Sequence, residues 1–353
     1  MSGGEDRPAT VRALSSMAPL VEQRDPSALP ADTAVCLGAF DGLHLGHQAL
    51  LNRARARASR VGLVTFDPHP QQVLAPERAP RLLHTPVQRH RVCTDLGIEH
   101  LVLLPFDRAM AQTSPEDFVQ QVLLDGLRPR AVVVGEDFRF GRARQGDGEA
   151  LARLLAPAGI EVERVSAVPV PAAARPPAHD PELKLGATTI RRAIEAGEVE
   201  RAGAMLGRWH SVAGTVVHGV RRGRTIGFPT ANIEAPQAFL PAPGVYAGAL
   251  AVWSTTGPAA GAVWPAVANL GRNPTFVAGS GQAPLSLEAH VIDQDLGEHL
   301  YGLEVEFSFA TRLRGEQRFD GPDALIEQIR RDVNAAREAI DPELPNVVAP
   351  PSP

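Results

Sequence analysis

The sequence is poor in lysine, cysteine and aromatic residues. Lys184 is the only lysine, and the other 34 of the 35 basic residues are arginines. A Walker phosphate loop needs Gly-Lys followed by Ser or Thr, whereas Lys184 is followed by Leu185 and Gly186. A nucleotide bound by this chain is therefore held by other means. Two cysteines, Cys36 and Cys93, are too few for a disulfide scaffold or a structural zinc site. Both are expected to be buried. No stretch reaches the roughly 18 uninterrupted apolar residues of a membrane span. The N-terminal segment lacks the apolar centre of a secretory signal. A net charge of −5 argues against bulk nucleic-acid binding and leaves room only for a local basic site. What remains is ordinary: 353 residues, 44% hydrophobic and 21% charged, suit a globular cytoplasmic enzyme of two domains.

Along the chain, residues 1–20 read as a flexible leader. Short apolar runs follow at Ala34–Leu37, Val61–Phe66, Leu101–Leu104 and Ala131–Val134. Helical stretches at His47–Ala58 and Pro115–Gly126 alternate with them, the second opened by Ser114 as N-cap. That alternation predicts βαβ units on a parallel sheet. Val168–Glu182 is rich in Pro and Ala and reads as a linker or surface loop. Thr189–Leu206 reads as one or two helices. After Trp209 the texture becomes β-rich, with strands at Thr215–His218, Gly244–Val252, Trp264–Asn269, Leu287–Ile292 and Leu303–Ala310. A small barrel is expected there, closed by a helix over Pro322–Ile340. The domains are placed at 21–208 and 209–341, and 342–353 as a disordered tail.

Three clusters carry candidate chemistry. The first is Gly38-Ala39-Phe40-Asp41-Gly42-Leu43-His44-Leu45-Gly46-His47, where a strand gives way to a helix. Open α/β sheets bind ligands at strand carboxyl ends, and helix N-termini favour phosphate. His44 and His47 can donate to phosphate oxygens, and Gly46 leaves room for a nucleotide against the backbone. Asp67 and His69 also follow a strand, as do Asp137 and Arg139. Phe138 and Phe140 are placed either against a flat ring or in the core. Arg191 suits a polyphosphate grip or a solvated surface. The second cluster runs from Gly219 to Asn232 (GVRRGRTIGFPTAN), a Gly- and Arg-rich loop able to wrap phosphates. Thr230 and Asn232 share a face if extended, and offer hard oxygens suited to Mg²⁺; a capped turn is the plain alternative. The third is Leu287–Asp293, in which Glu288 and His290 share one face. A carboxylate facing into a barrel is costly unless paired or catalytic; an exposed strand carboxylate on the solvent face is the plain alternative.

The first string resembles the HxGH signature of nucleotidyltransferases. More narrowly, the chain resembles the bacterial bifunctional riboflavin kinase/FMN adenylyltransferase family. Thr65–Pro70 (TFDPHP), Val134–Gly141 (VGEDFRFG), Thr188–Arg191 (TTIR), the 219–232 run and the Glu288 strand occur in the family's order. The resemblance implies a Rossmann-like adenylyltransferase domain followed by an antiparallel barrel kinase domain. It implies that riboflavin, FMN and FAD, with ATP, are substrates or products and that Mg²⁺ is required. His44, His47 and Arg191 would stabilise charge in adenylyl transfer, with Gly38, Phe40, Asp41, Gly46 and Thr188 around that ATP. Asp67, His69, Asp137, Phe138, Arg139 and Phe140 would face the flavin. In the kinase domain Glu288 would be the general base, Gly219, Gly223, Arg224 and Gly227 would surround ATP, and Thr230 and Asn232 would hold the metal. Asn269–Phe276 resembles the loop over the flavin side, with no atom assigned. One departure stands out: the family's Ser-Ser-Thr ahead of two arginines is Gly186-Ala187-Thr188-Thr189 here. It keeps a kinase-only alternative open; a non-catalytic flavin carrier is the other. Partners are expected to be small molecules, with no nucleic acid and no membrane, and self-association transient at most.

Overall fold

The short apolar runs of the N-terminal half become the centre of a parallel sheet. The computed structural model describes residues 20–175, 184–219, 223, 226–253, 261–272, 285–294, 296 and 299–340. Residues 1–19 of the expected leader, the 342–353 tail, part of the Pro/Ala-rich segment, Arg224 and residues 273–276 lie outside them.

The sheet comprises β1 (Val21–Gln23), β2 (Thr33–Leu37), β3 (Arg60–Asp67), β4 (His100–Pro105), β5 (Ala131–Gly135) and β8 (Glu161–Val165). Between the last two, β6 (Arg139–Phe140) and β7 (Gly146–Asp147) form a ladder of their own. The sheet order is β1-β4-β3-β2-β5-β8, and every pairing is parallel. All five residues of β2 are buried, as a strand covered on both faces requires. The chain runs from β2 outward through β3 to one edge, then returns to β5 on the other side. The switch point therefore lies at the carboxyl ends of β2 and β5, where ligands of open α/β sheets bind.

The helices of this part are α1 (Leu45–Arg55), α2 (Pro70–Leu74), α3 (Pro86–Asp95), α4 (Pro115–Phe118) and α5 (Gly148–Leu155). Ser114 caps α4 as expected, its Oγ accepting from the Asp117 N–H at 3.0 Å. That helix continues as a π-helical segment over Val119–Leu127. Cys36 and Cys93 are both buried.

Helices α6 (Ala187–Glu195) and α7 (Val199–Leu206) break at Gly197, whose φ of +78° suits glycine. Six strands then close an antiparallel barrel: β9 (His210–Val217), β10 (Ala231–Glu234), β11 (Gly244–Val252), β12 (Val263–Arg272), β13 (Leu285–Val291) and β14 (Glu304–Arg314). Their order is β10-β13-β12-β11-β14-β9. The interior is filled by Tyr246, Leu250, Leu287, Ala289, Phe307 and Phe309 among others. Part of the outer wall is also apolar. Val245, Ala247, Val267 and Ala310 pack there against Val333, Ala336 and Ile340 of the terminal helix α8 (Pro322–Ala339) and its end.

The compact units do not divide at the expected 208/209 boundary. One comprises residues 20–169 with 184–187, the other 170–175 with 188–340. Helices α6 and α7 belong to the barrel unit because their polar groups are used there. Glu200 accepts from the Arg312 N–H at 3.1 Å and from the Thr311 hydroxyl. The Ala242 N–H donates to the Ile194 carbonyl at 3.2 Å.

Candidate functional site

The HxGH string sits at the β2–α1 junction. The Gly38 N–H donates to the Val64 carbonyl at 3.2 Å, and Thr65 Oγ1 donates to the Ala39 carbonyl at 3.0 Å. The Leu83 N–H donates to Asp41 Oδ1 at 2.8 Å. These bonds hold a loop in which Phe40, Gly42 and Leu43 all have positive φ. Two non-glycine residues in that region store strain that only a well-pinned loop sustains. His44 is the N-cap of α1, and His47 lies in its first turn. Their rings stack at 3.7 Å between centroids, and the Phe40 ring meets His47 edge-on at 5.0 Å. Gly46 makes this possible, since a Cβ there would fall 3.0 Å from the His44 ring. The next neighbour of that position is Leu185 at 3.8 Å, so the segment 184–187 lies against the same helix start. Phe40 is buried and lies over Gly38, and Asp41 lends one oxygen to the Leu83 backbone. Both shape this loop. Thr188 is exposed and Arg191 half-buried on α6.

The expected flavin-facing residues separate into different roles. Asp67 Oδ2 accepts from Arg24 Nη1 at 2.9 Å, with Arg89 at 4.0 Å. His69 caps α2, its Nδ1 accepting from the Gln71 N–H at 3.3 Å. Asp137 and Arg139 are exposed beyond the end of β5. Phe140 is 6% exposed and packed on Phe118, so the expectation that it faces a ligand is corrected to a core role. Phe138 stacks on it at 5.5 Å and is only half-buried.

The second site lies on the barrel, on its outside. Leu287, Ala289 and Val291 fill the interior, so Glu288 and His290, on the opposite face of β13, point outward. Glu288 therefore does not face into the barrel: the apolar face of the strand took the interior. Glu288 instead lines a cavity of about 360 Å³ shared with Gly223, Phe228, Thr230, Asn269 and Arg314. Asn232 is paired directly with Glu288 in the β10–β13 register. Two glycines are required by close approach. A Cβ at Gly219 would lie 2.2 Å from Asn232 Nδ2, and one at Gly223 would lie 2.2 Å from the Phe228 carbonyl and 3.3 Å from Thr230 Oγ1. Gly227 has φ +85°. His290 donates from Nδ1 to the Pro229 carbonyl at 2.8 Å, and its ring meets Phe228 at 5.4 Å. At the far wall Arg314 forms a bidentate pair with Asp332 of α8 at 2.8–3.1 Å. Asn269, Arg314 and Phe319 were not assigned in sequence. They reach the cavity through strand register and the packing of α8; the Asn269–Phe276 string hinted at Asn269.

Among the described residues, no cluster of three or more His, Cys, Asp and Glu side chains is arranged to hold a metal. The hydroxyl of Thr230 and amide oxygen of Asn232 are nevertheless hard donors, and Gly219 leaves the Asn232 amide the space it occupies. That donor set fits Mg²⁺ completed by phosphate oxygens. Among the described residues no helix is long and apolar enough to cross a membrane.

A family model described as FAD synthetase matches residues 27–173, and one described as riboflavin kinase matches residues 206–340. The chain is 35% identical over 310 residues to a bifunctional riboflavin kinase/FMN adenylyltransferase from Pseudomonas fluorescens, covering 87% of this chain and 92% of that one. It is 33% identical over 314 residues to the protein of the same name from Bacillus subtilis, covering 87% and 92%. A crystal structure from Streptococcus pneumoniae, described as a macrolide-efflux protein, is 29% identical with a TM-score of 0.75. It covers 90% of this chain and 99% of that one.

Proposed function

The chain belongs to the bifunctional riboflavin kinase/FMN adenylyltransferase family, and from that premise we propose how its own residues divide the two reactions. It is a transferase that phosphorylates riboflavin to FMN and adenylylates FMN to FAD, with ATP as donor in both steps. Both family matches are present, which favours the two-activity reading over the kinase-only and carrier alternatives.

In the kinase step Glu288 takes the proton of the riboflavin 5′-hydroxyl as its oxygen attacks the γ-phosphorus and ADP leaves. A carboxylate on a cavity wall, within reach of a bound hydroxyl, suits general-base work. Phosphoryl transfer otherwise needs positioning and neutralisation of charge. Thr230 and Asn232 hold Mg²⁺, which when bound supplies positive charge to the ATP phosphates. Gly219, Gly223 and Gly227 let backbone approach those phosphates, and Arg224 adds charge. The observation that carries this assignment is the direct pairing of Asn232 with Glu288, which sets the metal-side donor beside the base.

In the adenylyl step an oxygen of the FMN phosphate attacks the α-phosphorus of ATP and pyrophosphate leaves. The nucleophile is already anionic near neutral pH, so no strong base is required. His44 and His47, at the start of α1, donate to the charge that develops on the phosphates. The backbone at Gly186 contacts phosphate where the family's serines are absent. Asp67, His69, Asp137, Phe138 and Arg139 border the flavin. The enzyme works in the cytoplasm, without nucleic acid, and any self-association is transient.

Purified protein incubated with riboflavin, ATP and Mg²⁺ is expected to yield FMN first and FAD later, as followed by chromatography. Glu288→Gln is expected to reduce FMN formation about 10²–10⁴-fold while FAD formation from added FMN is unchanged. An unchanged rate of FMN formation in that variant would remove Glu288 from its role.

A further inference from the structure

Five residues line up across the outer wall of the barrel. Register pairs Asn232 of β10 with Glu288 of β13, Glu288 with Asn269 of β12, Asn269 with Val245 of β11, and Val245 with Arg314 of β14. Directly paired residues of an antiparallel ladder project to the same face. The row therefore runs from a carboxamide beside the metal donors, through a carboxylate and a second carboxamide, to an apolar side chain and a guanidinium. Val267, Phe319, Leu325 and Ile329 extend its apolar end within the same cavity. Riboflavin has its chemistry in the same order: a terminal hydroxyl, a polyol chain, then a flat ring.

We infer that Asn269 hydrogen-bonds the mid-chain hydroxyls of the ribityl group, and so makes the kinase selective for the polyol as well as the ring. This rests on Glu288 being the base for the 5′-hydroxyl. Neighbouring strands are about 4.8 Å apart, so Asn269 lies about that far along the row from Glu288. A five-carbon chain with bonds of about 1.5 Å advances roughly 1.3 Å per carbon and spans about 6 Å. With its 5′-oxygen at Glu288, its 3′ and 2′ carbons fall nearest Asn269, and the ring begins between Asn269 and Val245. A carboxamide both donates and accepts, as a hydroxyl does. Asn269 is exposed, while its neighbours Ala268 and Leu270 are fully buried in the barrel, so packing does not dictate its identity. Gly271 keeps this corner open: a Cβ there would lie 2.6 Å from Glu316 Oε1 and 3.4 Å from Asn269 Nδ2.

The test compares kcat/KM for riboflavin and for 2′- and 3′-deoxyriboflavin in the intact protein and in Asn269→Ala and Asn269→Thr. A site built around a substrate hydroxyl rejects the analogue lacking it. The wild type is expected to prefer riboflavin over at least one analogue by about tenfold or more. Asn269→Ala is expected to bring riboflavin down to the level of that analogue, and Asn269→Thr, which suits a strand, to restore part of the preference. The urea-unfolding midpoint of the barrel unit in each variant reports that the barrel is folded. A preference retained in Asn269→Ala, or an equal loss on all three flavins, would overturn the inference while leaving the kinase reading intact. A wild type that makes no FMN would instead overturn the reading of Glu288.

Discussion

Gly219 has its reason in a single contact. The amide of Asn232 occupies the space where a side chain would begin, with Nδ2 only 2.2 Å from the position of a Cβ. Gly219→Ala must displace that amide or the strand beneath it. The expected result is a higher Mg²⁺ requirement for FMN formation, with kcat lowered about tenfold or more and FAD formation from FMN unchanged. A Mg²⁺ titration of both activities checks it. His210 makes a different point at the same scale. It is buried, and burial pushes its imidazole down to about 4 against the opposing pull of its hydrogen bond to the Phe239 carbonyl. The folded state holds it neutral while the unfolded chain protonates near 6.5. Its stabilisation is therefore complete above about pH 6.5 and is lost as the pH falls from there towards 4. Between pH 7 and 5 the wild type should lose about 2 kcal/mol through this one group. Urea unfolding of the barrel unit at both values should show a smaller pH-dependence in His210→Gln. The roles of Phe138 and Phe140 illustrate what residue type leaves undecided. Both are phenylalanines two positions apart, yet one is core and the other half-open, because Phe118 covers only Phe140 directly.

Helix α8 shows how an element outside a barrel completes a site on it. Its buried side holds Val333 and Ala336 against the outer wall. Its Asp332, 6% exposed, takes both arms of Arg314 and also accepts from Gln328 Nε2 at 2.9 Å. Removing the carboxylate leaves a largely buried guanidinium without its partner. Asp332→Ala is expected to cost about 3 kcal/mol in urea unfolding and to raise KM for riboflavin, since Arg314 borders the cavity. Asp332→Asn, which keeps an acceptor, should recover part of both. In the other unit, α3 starts with a capping box: Thr85 Oγ1 accepts from the Gln88 N–H at 3.3 Å, and Gln88 Oε1 accepts from the Thr85 N–H at 3.1 Å. Thr85→Ala is expected to cost about 1 kcal/mol, read as a lower denaturation midpoint of that unit. The FMN-forming rate should be unaffected.

For the whole molecule, each compact unit has its own sheet and its own apolar core. The two reactions should therefore separate by substitution within one chain. His44→Ala combined with His47→Ala is expected to leave FMN formation at the wild-type rate and to abolish FAD formation, so that FMN accumulates. Chromatography of the flavins over time checks it. FAD formation at the wild-type rate would remove both imidazoles from the adenylyl step.

The sequence, through the resemblance its motifs carry, determined the two chemistries and their order along the chain. Strand–loop–helix strings such as Gly38–His47, and short runs such as Gly219–Asn232, carry ligand-binding residues close together, so their local spacing is readable. The alternation of apolar runs with helices, then the change to β-rich texture after Trp209, was enough for an α/β part followed by a β-rich part; the Rossmann-like and barrel topologies came from the family resemblance. Short or weakly patterned elements escaped it. β8 reads Glu-Val-Glu-Arg-Val at a sheet edge, and β10 is only four residues long. Tertiary structure alone decided which wall Glu288 faces, that Asn269 and Val245 join it in one row, and that α6 and α7 belong with the barrel. The reason is physical. A period of two separates the faces of a strand without saying which is inside, and here α8 half-buries the outer wall as well. Cross-strand register then joins residues far apart in the chain, and it is set by how the barrel closes.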